Sequence, residues 1–251
     1  MSRPKAKVSS KAISSSKSLK WSISRSSGSE SRRPNRPNQP KASNSLNLII
    51  VRHGQTNLNR DGRVLGHGPE PLNETGLAQA QAVAQALTHV GSFTLYSSPV
   101  NRTMQTAEAI SGLTDTPIAP KPGLAELDAG EMEGIEGRKL GELFPDVMAV
   151  WRSDPAKARM PGGETLGEVQ DRAWKAIAEI VDAHPDGTAV AVSHNFPIQT
   201  IVCSALGMNL KDFRRVKVDL GSITRLQTAA SGFTVTSLNE TWHLPAKDPA
   251  N

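Results

Sequence analysis

Leu46-Asn47-Leu48-Ile49-Ile50-Val51 runs directly into Arg52-His53-Gly54. An apolar run of this length, cut off by polar residues and a glycine, is the pattern of a strand covered on both faces. Such a strand needs helices above and below it, and the chain downstream supplies them. Asn73 caps a helix predicted from Leu77, Ala80, Ala84, Leu87 and Val90. Phe93-Thr94-Leu95-Tyr96 reads as a second strand. Ser98 as cap and Pro99 at the first helical position then open a helix that carries Arg102 in its first turn. Thr165-Leu166-Gly167-Glu168 is a capping box ahead of the stripe Leu166, Val169, Ala173, Ile177 and Ile180. After a turn at Gly187, Thr188 to Ser193 is a third strand, which stops at His194-Asn195 and leads into a helix through Cys203 to Leu206. Val216/Val218, Ile223 to Leu226 and Phe233 to Val235 read as short strands at the sheet edge. The expected fold class is therefore α/β, a three-layer sandwich with a mostly parallel central sheet flanked by helices.

Charge is divided unequally along the chain. The 251 residues carry 29 Lys+Arg against 24 Asp+Glu, a net of +5, with a pI near 9.5. Residues 1–45 alone hold eleven Lys/Arg, one acid (Glu30) and fifteen serines, a net of +10, which leaves −5 for residues 46–251. The first stretch ends in a Pro/Asn run, Arg33 to Pro40, and has too few apolar side chains to offset the entropy of ordering it. It is expected to be a disordered, basic, Ser/Pro-rich tail. Three uses fit it: a linker or sequence upstream of the true start, a basic arm for nucleic acid or membrane, or a transit peptide. Residues 46–251 are expected to form one catalytic domain, whose acidic balance points away from nucleic acid. No run approaches the roughly 18 apolar residues of a membrane span. The single Cys203 excludes an internal disulfide or a multi-cysteine metal site and reads as a buried small hydrophobe. The expected location is cytoplasmic.

Arg52-His53, Arg102 and His194 each stand at a strand end or one turn beyond it. In an open parallel sheet the carboxyl ends of the strands share one edge, and ligands bind in the crevice there. Two guanidiniums, two imidazoles and the helix start at Ser98-Pro99 would then form an anion site suited to a phosphoryl group. Arginines beside the histidines oppose a divalent cation, and the chain lacks both HExxH spacing and a Gly-x4-Gly-Lys-Ser/Thr loop. No metal and no cofactor are expected. The expected partner is a small phosphorylated metabolite.

Five ordered blocks resemble the histidine phosphatase superfamily in its phosphoglycerate-mutase-like branch. They are Val51-Arg52-His53-Gly54-Gln55-Thr56-Asn57 with its sequel to Ala80; Ser97-Ser98-Pro99 through Arg102 to Ala107; Leu124-Ala125-Glu126 with Gly130 and Gly134; Pro161-Gly162-Gly163-Glu164-Thr165; and Val192-Ser193-His194. The resemblance covers residues 46 to about 240 and implies roles for them. His53 would be the nucleophile that forms a phosphohistidine, Arg52, Arg102 and His194 the charge-stabilising donors, and Glu126 the proton donor and later the base. Gly54, Asn57, Arg63 and Asn195 would line the phosphate pocket, with His67 as a further candidate for substrate contact. Two positions depart from the family. Asn195 follows the second histidine where Gly is usual, and Ala129 and Met132 stand where many relatives have aromatics, which implies a roomier cleft.

The implied function is a metal-independent phosphatase of small phosphomonoesters. A 2,3-bisphosphoglycerate-dependent phosphoglycerate mutase is the first alternative; the short span from Glu126 to His194 speaks for the phosphatase. A non-catalytic phosphate-binding module with a nucleic-acid-binding tail is the second, and the presence of His53, Arg102, Glu126 and His194 together speaks against it.

Overall fold

The structure is a computed structural model that describes residues 45–230 and 232–244. The expectation of a disordered tail over 1–45 lies, apart from Ser45, outside the described residues. Among the described residues the elements run β1 (Leu46–Arg52), α1 (Asn57–Arg60), α2 (Glu74–Leu87), β2 (Thr94–Ser97), α3 (Asn101–Thr114), β3 (Ile118–Pro120), α4 (Leu140–Leu143), α5 (Pro145–Ser153), α6 (Leu166–Ala183), β4 (Gly187–Ser193), α7 (Asn195–Leu206), β5 (Ile223–Ala229) and β6 (Gly232–Glu240).

The six strands form one sheet in the order β3-β2-β4-β1-β5-β6. The first four positions are parallel to one another, and β5 and β6 are antiparallel. The α/β three-layer expectation holds, and β1 shows why. Its Leu46, Leu48 and Ile50 pack with Ile177, Ile180, Ile201 and Val202 of α6 and α7. Its Ile49 and Val51 pack with Val83, Leu87, Ala107 and Ile110 of α2 and α3 on the opposite face. Each such aliphatic contributes about 1.5–3 kcal/mol when fully buried, as an upper estimate. A strand that feeds two cores cannot slip by one residue without exchanging its faces.

Several boundaries differ from the sequence reading. Leu77 is 50% exposed, and Val83 takes the core position instead. Val90 lies beyond the end of α2, although it still packs against the core. The second strand is Thr94–Ser97, one residue later than expected. Helix α3 starts at Asn101 rather than Pro99, with Val100 as an N-cap that makes no side-chain hydrogen bond; the Ser98 hydroxyl accepts from Val100 N at 3.4 Å and also contacts His194. Arg102 nevertheless remains in the first turn. Val216 and Val218 are buried from a loop that follows a 3-10 turn (Leu210–Arg215), not from a strand. Strand β3, three residues long, was not anticipated. Trp242, just beyond β6, is 72% exposed. Cys203 is fully buried among apolar neighbours, as expected, and burial pushes its thiol up to about 11.

Candidate active site

Strand register alone brings the two histidines together. Arg52 of β1 is level with Ser193 of β4, and Ser97 of β2 is level with Val192. The next residue on each strand is therefore His53, His194 and Ser98. His53 N donates to Ser193 O at 3.1 Å and Ser98 N to Val192 O at 3.0 Å, which extends the ladder by one step before the chains diverge. The imidazoles end up edge to face, with ring centroids 5.1 Å apart, and both are buried.

The hydrogen bonds of His53 define its tautomer. Nδ1 lies 2.7 Å from Gly54 O, a pure acceptor, so Nδ1 carries the proton. Arg102 Nε donates to Nε2 across 3.2 Å, so that nitrogen bears the lone pair. Burial, then the charges of Arg102 and Arg52, hold the imidazole well below its ordinary range despite the Gly54 bond. His53 is thus a neutral ring with a basic nitrogen aimed at a cation. For His194, Nε2 lies 2.9 Å from Ser98 Oγ, while Nδ1 is buried without a hydrogen-bond partner. Burial and the Arg102 charge depress this imidazole as well.

Arg102 is completely buried. Its Nη2 donates to Gly66 O at 2.7 Å and its Nη1 to Gly68 O at 3.3 Å. Burial lowers its pKa to about 10, with Glu126 and Glu133 acting the other way, so it stays charged at neutral pH. Arg52 Nη1 donates to Val218 O at 2.6 Å, and its Nε is buried without a partner. Glu126, 5% exposed, sits on the N-terminus of α7. Oε1 accepts from Leu127 N at 2.8 Å and Phe196 N at 3.2 Å, and Oε2 accepts from Asn195 N at 3.1 Å. These donors and the arginines favour the carboxylate, yet burial outweighs them and raises its pKa above the usual range.

The profile of the histidine phosphatase superfamily (branch 1) matches residues 48–241 of this chain. The chain belongs to that superfamily. Phosphoserine phosphatase 1 of Hydrogenobacter thermophilus is 31% identical over 199 residues, covering 79% of this chain and 94% of its own. Probable phosphoglycerate mutase GpmB of Salmonella paratyphi C is 31% identical over 210 residues, covering 80% and 96%. Among solved structures, Bacillus stearothermophilus YhfR aligns with a TM-score of 0.75 at 26% identity, covering 80% of this chain and all of that one. A phosphoserine phosphatase of Entamoeba histolytica, solved in complex with 3-phosphoglyceric acid, aligns with a TM-score of 0.73 at 25% identity, covering 80% and 100%.

Not every residue singled out from the sequence joins the central cluster of this histidine phosphatase superfamily member. Gly54 is required by packing: a Cβ there would lie 2.3 Å from Gly76 O. Asn57 is exposed at the start of α1. Arg63 is exposed, donates to Gly134 O at 2.8 Å and pairs loosely with Glu136 at 3.7 Å. Asn195 adopts ordinary helical geometry as the first residue of α7, so the lack of glycine there costs nothing. Its backbone N–H reaches Glu126, while its side chain donates to Gln199 Oε1. His67 Nε2 lies 2.7 Å from Glu126 O.

Two contacts escaped the sequence reading. Ser98 does cap locally, its Oγ accepting from Val100 N at 3.4 Å, and the same hydroxyl also lies 2.9 Å from His194 Nε2. Arg172 of α6 donates to Gly123 O, Ala125 O and Glu126 O at 3.0, 2.6 and 2.7 Å, and holds Glu164 through two parallel bonds of 2.8 and 2.9 Å. Glu164 in turn accepts from Asp128 N. This pair fixes the backbone on either side of Glu126. The Glu164 of the Pro-Gly-Gly-Glu turn was visible in the sequence; its partner, eight residues along a helix, carried no local signal. Among the described residues no group of three or more His, Cys, Asp or Glu is placed to hold a metal ion, and no helix is long and apolar enough to cross a membrane.

Proposed function

We propose that the chain is a phosphatase of small phosphomonoesters that works through a phosphohistidine at His53. The observation that carries this reading is the pairing of hydrogen bonds on the His53 ring: Nδ1–H spent on Gly54 O, and the Nε2 lone pair held beside Arg102. In the first step Nε2 attacks phosphorus and the P–O bond to the alcohol breaks. Glu126, its pKa raised by burial, gives its proton to the departing oxygen. Arg102, Arg52 and the unspent Nδ1 of His194 donate to the non-bridging oxygens as charge develops. With Ser98 Oγ–H donating to Nε2 of His194, its Nδ1 carries the ring hydrogen needed for that role. In the second step the Glu126 carboxylate takes a proton from water, the hydroxide attacks phosphorus, and the P–N bond breaks to restore the His53 lone pair. Inorganic phosphate leaves and Glu126 is protonated again.

Similarity to Phosphoserine phosphatase 1 supports hydrolysis, and similarity to a probable phosphoglycerate mutase supports the second reading, phosphoryl return to a bound product. Brief incubation with a labelled phosphomonoester, followed by alkaline quench and mass spectrometry, tests the nucleophile. The label should reside on His53 and vanish in His53→Ala. Full turnover by that variant would exclude the mechanism. Formation of 2-phosphoglycerate from 3-phosphoglycerate, dependent on the bisphosphate and faster than phosphate release, would favour the mutase.

A further inference from the structure

Beside Glu126 lies an apolar cavity of about 200 Å³ whose walls include Leu65, Leu127, Met132, Met148, Trp151 and Phe196. Three of these residues belong to backbone that already serves the site. Leu127 N and Phe196 N both donate to Glu126 Oε1. Leu65 precedes Gly66, whose carbonyl receives Arg102. A leaving oxygen protonated by Glu126 must lie against that carboxyl group, and the cavity wall begins at the next residue, Leu127, and at Phe196, whose N–H bonds the same carboxylate oxygen.

The wall is suited to one kind of group. All ten lining side chains are apolar, so a carboxylate or ammonium entering there would leave water without a partner. Met132 is buried, whereas Leu65, Met148, Trp151 and Phe196 are only partly so, which leaves the rim open to solvent. Trp151 meets Phe196 and Phe213 edge to face, with centroids 5.6 and 5.4 Å away, and so is fixed in place. Three methionines in the lining give it the capacity to adapt. An apolar cavity of about 150 Å³ accepts benzene, so this one has room for a single substituted ring or a short alkyl chain.

We propose that this cavity is the leaving-group subsite, and that the preferred substrates are phosphomonoesters of apolar alcohols or phenols. The proposal rests on the phosphatase reading, and its test separates the two. Calorimetric binding of ethyl-, butyl- and hexylphosphonate, which keep the anionic head and cannot be hydrolysed at the C–P bond, reads the subsite without turnover. Affinity should rise about three- to fourfold per added methylene until the cavity is filled. The corresponding phosphate esters should show the same trend in kcat/KM and should exceed phosphoserine and 3-phosphoglycerate. Met148→Glu should flatten the dependence on chain length; Leu65→Ser offers a second route to the same change should that variant fail to fold. Flat affinity along the phosphonate series, or a preference for phosphoserine, would overturn the subsite. Rising phosphonate affinity with no release from any ester would uphold the subsite and overturn the phosphatase.

Discussion

Arg102 Nε and His53 Nε2 are 3.2 Å apart, and neither residue has appreciable contact with solvent. The same guanidinium grips Gly66 O and Gly68 O, so one cation both faces the reactive nitrogen and holds the loop that follows Leu65. A lysine could supply the charge but not three donors in one plane. Arg102→Lys is expected to lower kcat by about 10²–10³, the scale of losing one preorganised donor to a developing charge. The check is steady-state kinetics on a phosphomonoester that wild type hydrolyses; a loss confined to KM would show that Arg102 acts on ground-state binding alone.

Glu126→Gln removes the transferable proton and presents an amide to three backbone donors. Esters with poor leaving groups need that proton most. The variant should lose far more of its phosphohistidine formation with an alkyl phosphate than with an aryl phosphate carrying a nitro group, as measured by single-turnover kinetics. Equal losses on both substrates would assign protonation to another group.

Acidification should destabilise the fold through the two histidines. Both are held well below their ordinary 6.5, so as pH falls through that value the unfolded chain takes up protons that the folded one refuses. Stability then declines by roughly 1–1.5 kcal/mol per pH unit per histidine, until the folded rings themselves protonate. Glu126 acts oppositely: above its ordinary 4.5 the folded state retains a proton that the unfolded state releases, so its contribution fades as pH rises through that window and partly offsets the histidines. Urea unfolding of wild type at pH 7.5 and 5.5 should show the net loss on acidification, and His53→Asn should reduce that loss by one histidine's share. Identical pH dependence of the two proteins would mean that His53 titrates as a free imidazole.

Two glycines should respond to alanine in opposite directions. At Gly54 a Cβ would collide with the Gly76 carbonyl, which is backbone and cannot step aside; overpacking of this kind costs about 1–3 kcal/mol. At Gly112, within α3, no atom lies within 4 Å of the new Cβ, and helix propensity favours alanine by up to about 1 kcal/mol. Thermal melts should place Gly54→Ala below wild type and Gly112→Ala at or above it.

Much of this was legible in the chain because it is local. The β1 run, the Thr165–Glu168 capping box and the placement of Arg52, His53 and His194 at strand ends follow from short stretches of sequence, and the structure reproduces each. What was not legible depends on residues far apart in sequence. Ser98 has the composition of a cap, and only the level arrangement of β2 beside β4 turns it toward His194. Arg172 looks like an exposed helical charge until the Gly123–Glu126 loop is folded against α6. Leu77 fits helical spacing, yet Val83 fits the actual sheet surface better. Arg63, carried over from the family pattern, reaches Gly134 and Glu136 across a bridge that no local signal announces.

The Gly66–Gly68 segment lies between opposite charges. Its amide hydrogens at Gly66 and Gly68 point to the Glu133 carboxylate, at 3.0 and 3.3 Å, while its carbonyls at the same two residues point to Arg102. The peptide dipoles are thus aligned by an anion on one side and a cation on the other. Alongside Glu126, the stronger opposing charge, Arg102 thus has part of its counter-charge supplied from Glu133, relayed through backbone. The site can hold a buried guanidinium charged and still leave its front face for an incoming anion, with a few residues of chain serving as the dielectric between them.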